Sequence, residues 1–545
     1  SNIGLSKTPR FAAYSFGYTP VVRFSLADAT KFQTFVDNYT QQYGLETEEK
    51  SHDGKKYFLV QQRDVSTIYR ISQGEFVMAV VAADDLETFL PYFFGTKKPA
   101  ASLAGENEFL TMTERYGFQN SIAGYFNLLK FAGVAAGNIQ LEGDAAQFVE
   151  NGPLKPSYPS YANAEICASE FARIASWTPR LVMGFRTYSD EEVDVAMGAV
   201  LDPELAEEVK KARGEVPGYG SPLMEKALVS VGLGLDLAGV IEAGSAWGRK
   251  IQQDPLQCKQ FSQMNTYAQQ IIGAGGQAPA AITGIQGYSA LLETIRVKYN
   301  ETDGTYYLPS MVTALRSEDP ETLIMFASQM APMLGNLQLE AGGEPVAVEQ
   351  LDTAYPGLVE STALMTTEFI GVAMGPEMAD KLSTMLEGDK DTAPPFFVMR
   401  ARTGDAVSRV VSDLRSIIDD AEKNLDKRGL TQEDITLARK YVDRIEGIFP
   451  DGEQTFEVSA TLDQDTVFMN YADSGPDFRE GWMKEFGEQS QQELRAFTKV
   501  LGLARNVRYE GAPAEAEVEA VPAQPQKAEE AKPEEATEGG EQKAE

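Results

Sequence analysis

The chain has 545 residues, with 48 Lys plus Arg against 81 Asp plus Glu, a formal net charge of −33, one His, two Cys and three Trp. At about 100 to 200 residues per domain this length predicts three or four domains, and 43% apolar residues exclude a chain disordered throughout. The acidic balance excludes a long electrostatic contact with nucleic acid, which needs a basic face against the phosphates, and disfavours an anionic membrane surface. Its plain reading is solubility, in a salty habitat, rather than a basic ligand.

No run of 18 apolar residues exists, so no transmembrane helix is expected; the richest stretch, Ala227 to Ile241, is broken by Ser230, Gly232, Gly234, Asp236 and Gly239. Ile3 to Tyr18 has no charged segment followed by an apolar one, so a signal peptide is not expected within this chain, and a lipid anchor would lie upstream of it.

In chain order, residues 20–26 read as a strand and Asp28 to Gly44 as a helix. Phe32, Phe35, Val36, Tyr39 and Tyr43 lie at helical spacing on one face, with Asp28 as N-cap and Gly44 as stop. An Asp53-Gly54 turn leads to strands at 57–60, 66–71 and 75–80, and a helix from Asp84 to Phe94 stops at Gly95. A divergent unit follows. Residues 180–186 and 195–200 read as a hairpin, Pro203 to Arg213 as a helix, 227–237 as a strand and 239–272 as helices.

The opening pattern then returns. A strand at 311–315, a helix from Glu318 to Leu334, a Gly342-Gly343 turn, strands at 345–348, 362–366 and 368–373, and a helix from Pro376 to Leu386 repeat it. Phe76 to Gly95 and Phe369 to Gly388 span the same interval of 19 positions. Residues 405–449 read as a helical pair broken at 427–429, with Thr431 capping the second helix. A hairpin at 455–462 and 466–471 alternates as if one face were buried. From Gly511 the chain is Ala, Glu, Pro, Lys and Gln without an aromatic residue, carrying ten acids and three lysines. Such a segment cannot offset its chain entropy and is expected to be a disordered, solvating tail.

These elements predict an α+β protein of antiparallel sheets with helices packed on them, built from repeated ferredoxin-like (split βαβ-type) units. The expected units are 1–135 (first α+β repeat), 136–305 (divergent middle unit), 306–404 (second α+β repeat), 405–510 (helical pair and closing hairpin) and 511–545 (disordered tail). The two repeat units should share one strand order.

Chemistry-bearing motifs are sparse. The one histidine, His52, adjoins the Asp53-Gly54 turn; a catalytic histidine needs positioned partners, and zinc sites of the His or Cys type are excluded by count. Gly232, Gly234 and Gly239 lack the dinucleotide spacing and read as positions of close backbone packing within a strand pattern. Carboxylates cluster at Asp190, Glu191, Glu192 and Asp194, at Asp419 and Asp420, and at Asp463 and Asp465. They could serve a two-carboxylate hydrolase or weak calcium binding at 190–194 or 463–465, although surface charge runs usually solvate a face. Met325, Met330 and Met333, and Met374, Met378 and Met385, read either as core or as an adaptable binding surface. Asn38 and Asn300 lie in glycosylation sequons.

Cys167 and Cys258 each open a helix-like stretch and are too far apart for a CxxC motif. They fit either buried thiols of a cytosolic protein or a single bridge in an exported one. A bridge closing so long a loop could stabilise by about 4 to 5 kcal/mol in the chain-entropy model.

With the repeat, the segment beginning at Cys167 and the turn at 217–220 in hand, the chain resembles uncharacterised exported envelope proteins or lipoproteins of gram-negative bacteria, assigned only to domains of unknown function. The resemblance implies a periplasmic or outer-membrane-associated place, with no catalytic residue carried over. The expected function is a non-enzymatic binding or scaffold protein with a protein partner, no cofactor and no metal. The alternatives are a small-ligand or lipid-binding protein with a cavity between the repeat units, and a carboxylate-dependent hydrolase.

Overall fold

In the computed structural model, residues 3–5, 10–99, 108–119, 122–156, 163–189, 191–300, 304–331, 337, 339–342, 344–348, 361–375, 377–386, 394–402, 404–448, 454–474, 493, 495–497, 499 and 500 are described. The expected tail, 511–545, lies outside them, as do Asp190, Met333, Gly343 and Pro376.

The first unit runs β1 (Phe11–Phe16), β2 (Thr19–Ser25), α1 (Ala29–Gln42), β3 (Glu48–His52), β4 (Lys55–Gln62), β5 (Val65–Ser72), β6 (Glu75–Ala82) and α2 (Leu86–Phe93). Local chemistry sets these bounds. Asp28 Oδ1 accepts from the backbone N–H groups of Thr30 and Lys31, satisfying two otherwise orphaned donors, and Gly44 ends the helix at φ +62°. Asp53 and Gly54 both take positive φ, 49° and 73°, as a two-residue hairpin turn requires. The strands form one antiparallel sheet in the order β1-β2-β6-β5-β4-β3.

Three further units follow one another through α3 (Glu108–Tyr116). One is β7 (Ala123–Asn127), α4 (Leu128–Ala135), α5 (Ala164–Trp177), β8 (Arg180–Tyr188), β9 (Glu192–Val200) and α6 (Pro203–Lys211). After the short α7 (Pro222–Lys226) come β10 (Val229–Leu233), α8 (Leu237–Gln253), α9 (Gln263–Gly275), the short α10 (Ala280–Thr283), β11 (Ile285–Asn300), β12 (Gly304–Ser317) and α11 (Pro320–Met330). Next are β13 (Val346–Ala347), β14 (Ser361–Met365), β15 (Phe369–Met374) and α12 (Met378–Leu386). The last unit is β16 (Phe397–Arg402), α13 (Gly404–Lys423), α14 (Leu425–Arg428), α15 (Gln432–Ile448), β17 (Thr455–Asp463) and β18 (Thr466–Ser474). Thr431 and Asp434 cap α15 reciprocally. All twelve strands join in one sheet, β13-β14-β15-β12-β11-β10-β16-β17-β18-β9-β8-β7.

Two connection plans explain the order. Where one long helix follows the first strand of such a unit, the unit's last strand returns to pair directly beside that strand. Thus β6 lies between β2 and β5, and β15 between β12 and β14. The strand orders of the two expected repeats correspond, β2-β6-β5-β4 with β12-β15-β14-β13. Two long helices carry the chain across and back, so the next strand is antiparallel and pairs directly. This holds for β7 with β8, β10 with β11 and β16 with β17. The divergent middle segment therefore follows a second plan, one that the C-terminal segment shares.

The three units of that second plan meet edge to edge, β10 against β16 and β18 against β9. The expected boundary at 305/306 consequently falls inside β12, and the expected units from 136 to 510 share one sheet with β7 of the expected first unit. Strands expected at 227–237 and 311–315 are found at Val229–Leu233 and Gly304–Ser317, and the helix expected to Leu334 is described to Met330.

The six-stranded sheet is covered on both faces. Leu26, Phe32, Val60, Tyr69 and Phe76 pack beneath α1; Val21, Ile68, Val77, Phe89, Leu90, Phe93 and Phe148 pack on the α2 side. The twelve-stranded sheet is covered on one side by α3, through Met112, Tyr116, Phe118, Val182, Ala196 and Phe468, and by α7 and α12, through Met224, Leu291, Val312, Met378, Leu382 and Met385. Helices α4, α5, α6, α8 and α9 pack on one another in two clusters that contain no strand residue.

Cys167, inside α5, is disulfide-bonded to Cys258. The second cysteine sits in a turn ahead of α9 rather than opening a helix, with its carbonyl accepting from Phe261 and Ser262. Beside the bridge the buried Glu170 accepts from the backbone N–H groups of Gln257 and Cys258 at 2.6 and 2.9 Å, and Phe171 stacks on Phe261. Among the described residues, no helix is long and apolar enough to cross a membrane.

Candidate functional site

An antiparallel sheet packed on one side normally alternates apolar inward and polar outward. The central strands of the large sheet do the reverse. In β17 the residues facing the α3 side are Glu457, Ser459 and Thr461, opposite Asn470 and Phe468 of β18. Its apolar set, Phe456, Val458 and Ala460, turns to the other side and is only half-buried. In β8 and β9 the α3 side carries Val182, Gly184, Ala196 and Gly198. A Cβ on Gly184 would lie 2.4 Å from the Phe118 ring, and one on Gly198 2.5 Å from that of Phe468, so these glycines admit two rings laid flat on the sheet.

Phe468 and Val182 face α3, while the methionines of β8, β9 and β18 point away from it. Met183 pairs with Met197, which pairs with Met469, in one cross-strand row. They are 50, 58 and 47% exposed, far above ordinary core methionines. Leu181 lies two residues from Met183 on the same face, and Phe126 of β7 stands opposite Leu181; both are exposed. Among the described residues no buried hydrophobic cluster takes a residue from this side of β8, β9, β16, β17 or β18, although Val193 and Leu462 at its margins are buried. The result is a contiguous apolar face at the β7 end of the sheet.

One border of the face is aromatic. Phe126 meets Phe131 of α4 at 5.1 Å between ring centroids, and Phe131 meets Tyr18 at 5.0 Å and Phe171 at 6.4 Å. The Tyr18 hydroxyl donates to the Phe131 carbonyl at 2.7 Å. The six-stranded sheet is thereby fastened beside the face, and the line of rings reaches the disulfide region.

The α3 side also carries polar groups next to its core residues Val182, Ala196 and Phe468. Arg186 donates to Asn470 at 3.0 Å and stands 3.6 Å from Asp194, while Asn470 reaches Ser459 and Thr461. Arg400 donates to Glu457 at 2.5 Å and lies over the Tyr219 ring. Burial disfavours the Arg400 charge, but the Glu457 hydrogen bond and charge outweigh it and hold the proton more tightly. Burial also pushes the Tyr219 hydroxyl above its ordinary value. Paired and internally satisfied groups of this kind pin the strands.

The structure scatters the carboxylates considered from sequence. Asp194 faces Arg186, Asp419 pairs with Arg439 and Asp420 with Arg428, and Asp465 pairs with Arg115 at 2.6 Å. Glu191 and Glu192 are exposed, their N–H groups donating to Ser189, and Asp463 is exposed. Asp190 lies outside the described residues. Among the described residues no group of three or more His, Cys, Asp or Glu side chains could hold a metal ion. His52 stacks on Phe94 and is partly covered, rather than standing free at its turn.

Of the glycines in segment 232–239, Gly232 lies within β10, Gly234 just after it and Gly239 in α8. They are packing positions: a Cβ on Gly239 would lie 1.9 Å from the Lys211 carbonyl oxygen, and one on Gly234 2.5 Å from that of Pro395. Met378 and Met385 are core residues, whereas Met325 and Met330 stand exposed on α11 and Met374 lies in β15 rather than on a helix. Met183, Met197 and Met469 were not among the candidates. Their signal in the sequence was the small and polar residues on the opposite parity of the same strands.

No protein-family model matches the chain, and no curated protein or solved structure matches it either.

Proposed function

We propose that this protein is a non-enzymatic, extracytoplasmic binding or scaffold protein of a bacterial envelope, holding a protein partner on the open face of its twelve-stranded sheet. The observation that carries the reading is the exposed row Met183–Met197–Met469 with Leu181 and Phe126 beside it. Contiguous exposed apolar surface on a folded chain marks an interaction site, and methionine suits a surface that adapts to its partner. Each of these half-covered side chains would gain roughly 1 kcal/mol on full burial, so the patch acts as an anchor within a larger interface. The chain's charge of −33 favours a partner whose apolar strip is flanked by basic residues over an anionic bilayer. The disulfide supports an oxidising compartment, and the resemblance to gram-negative envelope proteins supports the periplasm or outer membrane, with any lipid anchor upstream.

A photo-crosslinking side chain placed at Met197 in the native host tests the reading. It should give one discrete protein adduct, and Met183→Asp together with Met469→Asp should lower its yield at least about tenfold while leaving thermal unfolding in place. Adducts no more frequent than from a probe at the exposed Glu191 would overturn it. A turnover lost on neutralising Asp194 and Asp465 would favour an enzyme instead.

A further inference from the structure

The two edges of the six-stranded sheet are built differently. The β3 edge has the sequence Glu48, Glu49, Lys50, Ser51, His52, with Lys50 paired to Glu48 and Glu49 to Lys56; charge of this kind blocks another strand from adding. The β1 edge is Phe11, Ala12, Ala13, Tyr14, Ser15, Phe16, with no charge, no proline and no bulge in its pairing to β2. Its first five residues are exposed, Phe11 to 60%. An uncharged, flat, apolar edge is an open template for strand pairing.

We propose that β1 pairs antiparallel with β1 of a second copy of this chain, joining two six-stranded sheets across a two-fold axis. The Ser25 N–H donates to the Arg10 carbonyl, and inward and outward residues alternate in an antiparallel ladder. Ala12, Tyr14 and Phe16 thus bond to β2, while Phe11, Ala13 and Ser15 turn their N–H and C=O groups outward. A two-fold axis requires that if residue i meets residue j, then j meets i. Only one register then uses all three outward residues: Ala13 opposite Ala13, and Phe11 opposite Ser15 in both directions. It also keeps each face continuous, since Phe11, Ala13 and Ser15 share one side of the sheet. Ala12 falls opposite Tyr14, a small residue beside a large one. The register supplies about six hydrogen bonds between copies. The net charge of −33 per chain opposes association, so salt strengthens the dimer by screening it.

Sedimentation equilibrium of the wild-type chain should show a monomer–dimer equilibrium that shifts toward dimer as salt is raised. Ala13→Pro removes an outward N–H that the β1–β2 ladder does not use, a position where an edge strand tolerates proline, and should weaken association at least about tenfold. Ala13→Lys should do the same through charge and leaves the backbone untouched, so it decides the matter should the proline variant unfold. The two native cysteines are already joined. Ala13→Cys should therefore form a covalent dimer, because paired Cα atoms about 5.5 Å apart lie within disulfide reach, and Ser15→Cys, facing Phe11, should not. A wild-type chain that stays monomeric at all concentrations and salts overturns the proposal. So does a dimer unaffected by Ala13→Lys, or equal crosslinking at positions 13 and 15.

Discussion

The small sheet and the large one treat their apolar residues in opposite ways. In the six-stranded sheet both faces are apolar and both are covered, by α1 on one side and by α2 with Phe148 on the other. In the β8–β9–β18 part of the twelve-stranded sheet the covered side combines Phe468 and Val182 with glycine, alanine and polar residues, and Met183, Met197, Met469 and Leu181 are left outside. The first arrangement maximises apolar area removed from water, the main favourable contribution to folding. The second forgoes part of that stabilisation, and it leaves the surface that the proposed binding role would use.

The sharpest way to break this contrast is to truncate one large apolar side chain in each place. Phe89→Ala, in the doubly covered sheet, should lose about 3–5 kcal/mol in chemical unfolding. Met197→Ala, on the open face, should change stability by about 0.5 kcal/mol or less. Equal losses would mean that the large sheet's outer face is a core after all.

The bridge joins two parts of the helical layer and neither sheet, so cutting it tests that layer by itself. Cys167→Ala with Cys258→Ala should destabilise by about 2–5 kcal/mol, with the early loss of amide-exchange protection confined to α5, α8 and α9. Protection lost first in β4 to β6 would show that the bridge supports the small sheet instead.

Gly184 and Gly198 sharpen the account of why the methionines face outward. Gly198→Ala places a Cβ against the buried Phe468 ring and should cost about 1–3 kcal/mol, measured by denaturant midpoint. Gly273→Ala, where nothing lies within 4 Å of a new Cβ, should be neutral or slightly stabilising.

The smallest effect is electrostatic and belongs to the solvent side of the helical pair α13 and α15, whose other side is buried. The Arg439 hydrogen bond holds the Glu422 carboxyl below its usual range. A carboxyl lowered in the folded state contributes stability above its unfolded pKa, and that contribution is lost as pH falls through the folded value. In Arg439→Gln, NMR titration should find the Glu422 pKa risen toward the ordinary glutamate value, with a small change in acid stability. An unchanged titration would show that Arg439 is not its partner in solution.

Much of the local structure was legible in the residues. Asp28 and Gly44 mark the ends of α1, Thr431 caps α15, Asp53-Gly54 makes a hairpin, and the α+β class with antiparallel sheets follows from the helical and strand periods. Strands β1, β3, β7, β11 and β16 escaped notice. Three of them are short or sit at a sheet edge, where pairing on one side leaves little demand for alternation. Strand β16 carries Arg400 and Arg402, which read as surface until the sheet supplies Glu457 as a partner for the first. The open face escaped for a different reason: alternation in β17 shows two faces and invites the view that the apolar one is buried.

What the sequence determined by itself were quantities set within a few residues along the chain: caps, turns, helical and strand periods, the acidic balance, and the two cysteines as one possible bridge. Tertiary structure alone decided which cysteine environments met, that three units would merge edge to edge into twelve strands, and which side of those strands the helices would cover. The physical reason is that a period of two divides a strand into two faces without labelling them. The label comes from helices far away in sequence, from Phe118 and Phe468 needing Gly184 and Gly198 beneath their rings, and no local preference carries that information.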